Sequence, residues 1–311
     1  MSTSLAFVFP GQGSQSLGML AELGAAQALV RDTFAEASDV LGYDLWALAQ
    51  QGPEERLNET DKTQPAILTA SVALWRLWQA EGGAQPAFVA GHSLGEYSAL
   101  VAAGAIEFRD AVKLVELRGQ LMQQAVPSGQ GSMAAILGLE DEQVRAACAE
   151  AANGDVVEAV NFNAPGQVVI AGSVAAVQRA VEACKAAGAK RAMPLPVSVP
   201  SHCALMRPAA EQLVDVIGGL RLHEPEIAVI NNVDVAVETD VGRVTDALVR
   251  QLYSPVRWAE TVQKLAADGV TLAYECGPGK VLAGLVKRID RSVEVVALEN
   301  AAALQAATPD A

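Results

Sequence analysis

The sequence predicts an α/β protein with a largely parallel main sheet and a small inserted subdomain. Short apolar segments rich in β-branched and aromatic residues alternate with longer segments rich in Ala and Leu. Such alternation is typical of the strands and helices that build a parallel sheet. One stretch, residues 129–197, departs from this rhythm and predicts a separate unit. Because 51% of the 311 residues are hydrophobic, the chain can bury a large core.

Five segments have the composition of buried strands of the main sheet, namely residues 5–9, 87–90, 227–230, 271–275 and 293–297. Between them lie segments long enough for helices, among them residues 62–79 and 110–125. We therefore assign residues 1–128 and 198–311 to one body. Only its Ala-rich tail after Glu299 is expected to fray.

The insert, residues 129–197, has its own order of elements. Strands are predicted at 133–137, 156–161, 167–171 and 191–195, and helices at 141–152 and 174–187. The turn-forming run Asn-Ala-Pro-Gly at 163–166 separates the two middle strands. The resulting order, β-α-β-β-α-β, is the ferredoxin-like arrangement. A cleft between such a unit and a larger body is a common place for a ligand.

The charge balance excludes some classes of function. The 22 Lys and Arg residues are outnumbered by 36 Asp and Glu residues, which gives a formal net charge of −14. General binding to nucleic acid or to anionic membranes relies on broad basic surfaces, so we expect neither. An acidic partner would need a local basic patch, and the candidates are Lys280, Lys287, Arg288 and Arg291 near the C-terminus and Lys185, Lys190 and Arg191 in the insert. One alternative is that some of these side chains flank the cleft and bind the partner. The other is that they lie on solvated surfaces and have no binding role.

No targeting, membrane or metal-binding pattern is apparent in the sequence. The N-terminal apolar run lacks basic residues before it and is too short for a signal peptide. The longest stretch free of charge, residues 159–178, contains Asn, Pro and Gln residues that do not suit a membrane-spanning helix. The four cysteines show no spacing typical of a zinc site or a disulfide framework. We expect a cytoplasmic protein without a metal.

The segment 91–95, Gly-His-Ser-Leu-Gly, matches the G-x-S-x-G pattern of a serine nucleophile. It follows an apolar strand and precedes a helical run, the context that holds the serine exposed above a sheet. Glycines suit this tight turn because Cβ atoms would crowd it, and the helix N-terminus offers N–H groups to a developing oxyanion. The alternative is an ordinary turn bounded by glycines. The flanking strand and helix favour Ser93 as a nucleophile.

A serine nucleophile needs a base, and the chain has three histidines. His92 adjoins Ser93 in the turn, so its side chain should diverge from the hydroxyl, and His223 lies in a polar linker. His202 lies in a Pro-bounded loop just after the insert, where its side chain can face the cleft. A helix-capping or otherwise satisfied histidine is the alternative for His202. Elimination of the other two favours it as the general base.

Arg118 interrupts the apolar face of the predicted helix at 110–125. The face is formed by Ala111, Leu114, Val115, Met122 and Ala125. A charge on this face must be paired, because burying it alone is very costly. The partner is either a structural carboxylate, such as that of Glu96, or the carboxylate of a ligand, which the planar guanidinium fits well.

The loop 9–15, Phe-Pro-Gly-Gln-Gly-Ser-Gln, follows the first predicted strand. Gly11 and Gly13 permit close approach of the backbone, and Gln12 can present an amide donor to the same crevice. The loop does not match a phosphate-binding loop, since no Lys-Ser or Lys-Thr pair follows it.

Together these motifs make the chain similar to the malonyl-CoA:acyl carrier protein transacylases of fatty-acid synthesis. The resemblance covers nearly the whole length and is carried by segments 9–15, 63–66 (Thr-Gln-Pro-Ala), 91–96 (Gly-His-Ser-Leu-Gly-Glu), 118–123 (Arg-Gly-Gln-Leu-Met-Gln), 161–167 (Asn-Phe-Asn-Ala-Pro-Gly-Gln), 200–202 (Pro-Ser-His), 254–258 (Ser-Pro-Val-Arg-Trp) and 275–279 (Glu-Cys-Gly-Pro-Gly). It implies an α/β-hydrolase-like body with a ferredoxin-like insert, in agreement with the division above. The run Phe-Asn-Ala at 162–164 is one variant of a loop that varies in the family, which leaves the substrate range open.

The resemblance implies a role for each residue of the catalytic apparatus. Ser93 would be the nucleophile and His202 the base. The backbone carbonyl at Gln251 would orient the histidine in place of an acidic residue. The backbone N–H groups of Gln12 and Leu94 would form the oxyanion hole.

The resemblance also implies the substrates. Arg118 would bind the malonyl carboxylate, and Met122, Asn163 and Gln64 would be further substrate-binding positions. Malonyl-CoA would be the donor, CoA a product and holo acyl carrier protein the acceptor, without a cofactor. We expect a monomer.

Two other functions remain open at this stage. A hydrolase would share the serine turn but would usually place an acid between serine and histidine in chain order, where Asp155 is a candidate inside the insert. A non-catalytic scaffold would keep the fold and only bind a carrier protein. Within the family, selectivity for methylmalonyl groups or a polyketide pathway is a further alternative.

Overall fold

The strands of the protein form two separate sheets. The computed structural model describes residues 4–197 and 199–308. Its strands are β1 (Ser4–Phe9), β2 (Phe88–Gly91), β3 (Gly131–Leu137), β4 (Val157–Ala164), β5 (Gln167–Ser173), β6 (Arg191–Pro194), β7 (Ala228–Ile230), β8 (Val270–Glu275) and β9 (Glu294–Ala297). The main sheet has the order β7-β2-β1-β8-β9, and the second sheet has the order β4-β5-β3-β6.

The helices lie between these strands and at the C-terminal end. They are α1 (Ala21–Ala26), α2 (Ala28–Leu41), α3 (Leu45–Gln51), α4 (Glu54–Leu57), α5 (Thr60–Ala80), α6 (Gly95–Ala102), α7 (Phe108–Ala125), α8 (Asp141–Ala152), α9 (Val174–Ala186), α10 (Arg207–Gly218), α11 (Val241–Gln251), α12 (Trp258–Ala267), α13 (Val281–Ile289) and α14 (Ala301–Ala307). Helices α3, α9, α11 and α14 each begin after a polar residue whose side chain accepts a backbone N–H of the first turn, namely Asp44, Ser173, Asp240 and Asn300. These caps satisfy donors that a helix start leaves unpaired.

The main sheet is parallel and is buried on both faces. Because side chains alternate along a strand, β1 sends Phe7 and Phe9 to one face and Ala6 and Val8 to the other. The first pair belongs to the larger core with α2, α5, α6, α7 and α10. The second pair packs in a smaller core with α12 and α13. Burial on both faces explains why these strands are apolar throughout.

The second sheet is antiparallel and has helices on one face only. Helices α8 and α9 cover that face. Its two central strands, β5 and β3, are the third and first strands of the insert, which is the ferredoxin-like order. Its opposite face carries Met133 and Val169, which cluster with Cys203 of the body. The uncovered face therefore looks toward the body.

Strand β4 fixes the insert to the body through backbone hydrogen bonds. The amide N of Val256 donates to the carbonyl O of Val160 at 2.8 Å, and the amide N of Phe162 donates to the carbonyl O of Val256 at 3.0 Å. A short parallel bridge at Asn161 accompanies them. The insert is thus joined to the body by more than its two chain connections.

The α/β architecture predicted from the sequence is confirmed, and each predicted strand overlaps an observed one. One expectation is wrong for the described part of the tail, because residues 301–307 form helix α14. Asn300 caps α14 at 2.9 Å from the Ala303 amide, and Leu304 packs in the larger core at 4% exposure. Residues 309–311 of the tail lie outside the described residues. The domain limits 1–128, 129–197 and 198–311 stay a prediction.

Residues 4–197 and 199–308 contain neither a membrane-spanning helix nor a metal-binding cluster. No helix there is long and apolar enough to cross a membrane. No group of three or more His, Cys, Asp or Glu side chains in the same ranges is arranged to hold a metal ion.

The aromatic cluster around Phe7 provides a test of the larger core. Its ring lies 5.2 Å from that of Trp75, 5.0 Å from Trp78 and 5.5 Å from Tyr274, centroid to centroid. We expect Phe7→Ala to lower the free energy of unfolding by about 3–5 kcal/mol, because it removes buried area and leaves a cavity. Chemical denaturation measures this loss. Phe7→Leu keeps most of the apolar volume and should lose clearly less; equal losses would contradict the packing described.

Candidate active site

Ser93 lies in the sharp turn between β2 and α6 and has a φ of +53°. Close packing of the turn explains its glycines. A Cβ at Gly91 would lie 1.8 Å from the carbonyl C of Gly95, and a Cβ at Gly95 would lie 2.0 Å from the carbonyl O of Phe9. No side chain fits at either position. The geometry is the strand–turn–helix elbow that the G-x-S-x-G pattern predicts.

His202 reaches Ser93 from the loop that precedes α10. Its Nε2 lies 2.7 Å from Ser93 Oγ, and its Nδ1 lies 2.7 Å from the carbonyl O of Gln251. A carbonyl oxygen can only accept, so Nδ1 carries the proton and donates it to Gln251. This tautomer leaves Nε2 free to accept the Ser93 hydroxyl proton. The orienting partner of the histidine is therefore a backbone carbonyl.

The imidazole of His202 is held in its neutral form. It is 3% exposed, and burial is the main cause that lowers its pKa, followed by the positive charge of Arg118. Together they bring the pKa of His202 to about 3. A neutral imidazole with a bare Nε2 is the form that can act as a base.

Arg118 lies behind the Ser93 hydroxyl and is fully buried at 0% exposure. Its Nη1 donates to Gln64 Oε1 at 2.7 Å, and its Nη2 donates to Gln251 Oε1 at 3.0 Å. The same Nη2 lies 3.4 Å from Ser93 Oγ. Within residues 4–197 and 199–308, the Nε of Arg118 has no hydrogen-bond partner. The guanidinium is held by neutral amides and retains donor capacity.

The carboxylate of Glu96 compensates Arg118 from a distance. No carboxylate of the described chain lies within 4.0 Å of the guanidinium. Glu96 Oε2 instead accepts from Gln251 Nε2 at 2.7 Å, so one amide separates the two charges. Burial raises the pKa of Glu96 to about 7, against the opposing effect of its hydrogen bonds and of Arg118. The structural partner considered from the sequence is thus present, but it does not neutralise Arg118 directly.

Two backbone amides beside Ser93 are free to bind an oxyanion. Neither Gln12 N nor Leu94 N donates to an acceptor in the described part of the chain. The loop that carries Gln12 packs against the elbow, since a Cβ at Gly11 would lie 2.4 Å from the carbonyl O of His92. Free amides beside a nucleophile suit a developing negative charge.

A cleft with a volume of about 420 Å³ opens over these groups, between the body and the insert. Gln12, His92, Ser93 and His202 line it from the body. The insert contributes Met133, Asn161, Asn163, Val169 and Leu195, and the start of α5 with the segment before it contributes Glu55, Asn58, Glu59 and Thr60.

The remaining residues singled out from the sequence lie around this centre. Asn163 Oδ1 is 2.7 Å from His92 Nε2, so this ring nitrogen contacts Asn163 and not the Ser93 hydroxyl. Met122 is 1% exposed, and its Sδ lies 3.6 Å from Gln64 Nε2. Arg118, Met122 and Gln64 are not among the residues that line the cleft. Their direct contact with a substrate stays a prediction, as does that of Asn163. His223 is exposed.

Asn232 is a residue of the site that the sequence analysis missed. It is fully buried, and its Oδ1 accepts the Ser93 amide N–H at 2.7 Å. The available signal was a pair of asparagines, Asn231 and Asn232, directly after a predicted buried strand. Carboxyl ends of parallel strands meet at one sheet edge, so polar residues there are expected near the elbow.

The arrangement has the parts needed for covalent acyl transfer. Ser93 can attack a carbonyl carbon once His202 takes its proton, and the free amides can hold the resulting oxyanion. A buried cation beside the hydroxyl suits an acyl group that carries a negative charge.

Comparison with known proteins gives consistent matches over nearly the whole chain. The acyl transferase domain family matches residues 6–306. A relative from Salmonella typhimurium named malonyl CoA-acyl carrier protein transacylase is 63% identical over 305 residues, which cover 98% of this chain and 99% of the relative. A Bacillus subtilis protein with the same name is 46% identical over 299 residues, covering 96% of this chain and 94% of that protein.

Two solved structures are similar in both sequence and shape. An acyl carrier protein S-malonyltransferase from Vibrio cholerae has a TM-score of 0.96 at 64% identity, covering 98% of this chain and 99% of that one. A malonyl-transacylase in complex with a type II polyketide acyl-carrier protein has a TM-score of 0.98 at 59% identity, covering 99% of this chain and 100% of that one.

The state of His202 can be measured directly. Because its pKa is lowered to about 3, nitrogen-detected NMR should show a neutral ring with a protonated Nδ1 from about pH 8 down to about pH 5. In the urea-unfolded protein the same ring should titrate near its ordinary value of about 6.5. Between about pH 6.5 and about pH 3, His202 then binds a proton in the unfolded state and none in the native state. His202 therefore lowers the free energy of unfolding as the pH falls below about 6.5. A native ring that gains charge near pH 6.5 would contradict this account.

Proposed function

We propose that this chain, which belongs to the acyl transferase family, moves a malonyl group from malonyl-CoA to the phosphopantetheine thiol of holo acyl carrier protein. The transfer passes through a malonyl ester of Ser93. The observation that carries the proposal is Arg118, a fully buried cation with no direct carboxylate partner in the described chain, 3.4 Å from Ser93 Oγ. Such a cation at the nucleophile selects an acyl group with its own carboxylate.

In the first step Ser93 Oγ attacks the thioester carbonyl carbon while His202 Nε2 takes the hydroxyl proton. The oxyanion that forms accepts hydrogen bonds from the amides of Gln12 and Leu94. The carbon–sulfur bond then breaks, and His202 returns the proton to the departing sulfur of CoA. A malonyl ester on Ser93 remains.

The second step reverses the order of these events. The phosphopantetheine thiol gives its proton to His202 and attacks the ester carbonyl carbon. The bond between that carbon and Ser93 Oγ breaks, and the serine oxygen takes the proton back. The same base serves both steps because each begins with a protonated nucleophile and ends with a protonated leaving group.

Arg118 supplies selection between acyl donors. The malonyl carboxylate can form charge-assisted hydrogen bonds with the guanidinium, whereas an acetyl group leaves that charge without an anion. Truncating one partner of a buried, hydrogen-bonded charge pair costs about 2–5 kcal/mol. That difference is large enough to separate malonyl from acetyl donors.

A hydrolase is the main alternative, and two contacts count against it. The orienting partner of His202 is the Gln251 carbonyl at 2.7 Å. The candidate acid, Asp155, pairs with Arg179 at 2.9 Å within the insert. Incubation with malonyl-CoA alone separates the functions, since a hydrolase releases free malonate and a transferase stays acylated until a thiol arrives. A non-catalytic scaffold would show no added malonyl mass on Ser93.

The proposal includes the setting expected from the sequence. We propose a role in fatty-acid synthesis, in the cytoplasm, as a monomer that needs no cofactor. A body of residues 1–128 and 198–311 with a separate insert of 129–197 belongs to the same proposal. The cleft between body and insert supports that division, because both contribute to its walls.

Lys287 and Arg288 are proposed to steer the acidic carrier protein toward the cleft. Both are exposed in the last turn of α13. Arg288 Nη1 donates to Gln167 Oε1 at 2.8 Å, at the turn that joins β4 to β5. Asn163, which lines the cleft, lies close to the same turn. This position supports the C-terminal patch as a docking face.

Replacing Arg118 tests the selection of the donor. In Arg118→Ala the malonyl carboxylate loses its partner, which should cost about 2–5 kcal/mol of transition-state stabilisation. We therefore expect kcat/KM for malonyl-CoA to fall at least about 30-fold. Intact-mass measurement of Ser93 acylation with malonyl-CoA and acetyl-CoA reads out both reactions. Acetylation should be retained or gained. Arg118→Lys keeps the charge without the planar fork and should recover only part of the malonyl activity. Equal loss with both donors would contradict a selective role.

Charge reversal tests the docking patch. The double change Lys287→Glu and Arg288→Glu should slow malonyl transfer to carrier protein about 10-fold or more at low salt, and less at high salt, with Ser93 acylation unaltered. Stopped-flow or quenched-flow assays separate the two steps. The double change Arg109→Glu and Lys113→Glu, at exposed positions of α7, alters net charge equally and serves as the control. Equal slowing by both pairs would argue for net charge and against a docking face.

A further inference from the structure

The side chain of Asn232 spans the backbone of the Ser93 turn. It is 0% exposed and follows β7, the strand beside β2 in the main sheet. Its Oδ1 accepts the Ser93 amide N–H at 2.7 Å, and its Nδ2 donates to the carbonyl O of Gly91 at 2.6 Å. Its own backbone amide donates to Glu96 Oε2 at 3.1 Å. One residue thus contacts the turn before, at and after the nucleophile.

We propose that Asn232 is a positioning residue that holds the Ser93 turn in its reactive conformation and reserves the Leu94 amide for the oxyanion. The inference rests on the proposed acyl transfer, since positioning has a meaning only for a reacting serine. Asn232 does not reach the substrate itself. It acts through the Ser93 backbone.

The backbone strain at Ser93 explains why a clamp is needed. A non-glycine residue at positive φ costs on the order of 1–3 kcal/mol and persists only where its surroundings enforce it. Asn232 fixes the backbone on the N-terminal side of the Ser93 φ bond, through the carbonyl of Gly91 and the amide of Ser93. On the other side of that bond, Gln251 Nε2 donates to the carbonyl O of Ser93 at 3.0 Å. Rotation toward an ordinary φ would break the hydrogen bond of the amide or that of the carbonyl, and it would carry Oγ away from His202 Nε2.

The same contacts leave one amide of the elbow bonded and the next one free. The Ser93 N–H is occupied by Asn232 Oδ1, whereas the Leu94 N–H has no acceptor in the described chain. An oxyanion near Ser93 therefore meets the second amide and not the first. A carboxamide suits this task because it offers one acceptor and one donor with no charge.

The neighbouring Asn231 provides a matched control. It is 5% exposed, and its side chain makes three hydrogen bonds, one more than the side chain of Asn232. Its Oδ1 accepts from the amides of Val233 and Asp234, and its Nδ2 donates to the carbonyl O of Ala236. All three bonds stay within its own turn. Asn231 therefore stabilises its own loop, and none of these hydrogen bonds reaches the elbow.

The first experiment compares Asn232→Ala with Asn231→Ala in the full chain. Asn232→Ala loses two side-chain hydrogen bonds and Asn231→Ala loses three, so both variants should melt at a lower temperature. Ser93 malonylation by malonyl-CoA should slow about 100-fold in Asn232→Ala alone, because a displaced nucleophile loses that much rate. Malonyl-CoA binding, measured in the Ser93→Ala background to prevent reaction, should change less than about threefold.

The second experiment restores the clamp by protonation. In Asn232→Asp, a neutral carboxyl group can accept from the Ser93 amide and donate to the Gly91 carbonyl, as the carboxamide does, whereas a carboxylate cannot donate. The malonylation rate of this variant relative to wild type should rise as the pH falls from about 8 to about 5, by about 10-fold or more. The same ratio for Asn232→Ala should be flat with pH, which controls for titration of Glu96 and His202.

The outcomes separate this inference from the proposed function. Wild-type protein that is never malonylated on Ser93 would overturn both. Normal wild-type malonylation with equal rates in the two asparagine-to-alanine variants would overturn the role of Asn232 alone. A pH-independent ratio for Asn232→Asp would do the same, even if the alanine variants unfold.

Discussion

The site depends on a single hydrogen bond, that between His202 Nδ1 and the carbonyl of Gln251 at 2.7 Å. Because a carbonyl can only accept, this bond fixes the tautomer of the imidazole and leaves Nε2 as an acceptor for the Ser93 hydroxyl. A carboxylate in the same position would stabilise a charged imidazole and raise its pKa. The neutral carbonyl raises the pKa less than a carboxylate would, and burial beside Arg118 keeps the pKa of His202 at about 3. The base is therefore ready at any physiological pH.

Gln251 links this hydrogen bond to the buried charges. Its backbone carbonyl orients His202, its Oε1 accepts from Arg118 at 3.0 Å, and its Nε2 donates to Glu96 at 2.7 Å. A cation buried with only neutral contacts would be very costly, and one buried in direct contact with a carboxylate would have no need of a ligand. The Gln251 carboxamide between Arg118 and Glu96 gives an intermediate case. The charge of Arg118 is tolerated in the free protein, and a second anion would still stabilise it.

The sequence was most informative where the physical signal is local. Apolar runs located the strands, because a parallel sheet covered on both faces leaves no polar position inside. Gly91 and Gly95 marked the elbow, since any Cβ there would overlap backbone atoms. The polar linker of residues 221–225 indicated that His223 lies apart from the site, and its side chain is exposed. The C-terminal helix α14 was missed because its stability comes from the Asn300 cap and the contact of Leu304 with a distant core.

Contacts between distant segments could not be predicted from single positions. Asn232 lies 139 residues from Ser93 in the chain, and Gln251 lies 155 residues from Glu96. Only the sheet order, which sets β7 beside β2, brings Asn232 to the elbow. The sequence could have offered the two asparagines after a buried strand as candidates, but not which one turns inward. That choice depends on the register of β7 against β2, which is a property of the folded sheet.

Both reacting residues have strained backbones, in positions where their side chains meet at 2.7 Å. Ser93 has a φ of +53° and His202 a φ of +66°, each in a region that non-glycine residues rarely occupy. Each costs on the order of 1–3 kcal/mol unless neighbours enforce it. Asn232 holds the first, and a hydrogen bond from the His202 amide to the Leu252 carbonyl at 3.0 Å holds the second. Both supports come from the segment between β7 and α12, on the body side of the cleft. The insert contacts the chain neighbours of these two residues, because Asn163 Oδ1 lies 2.7 Å from His92 Nε2 and Met133 and Val169 pack with Cys203.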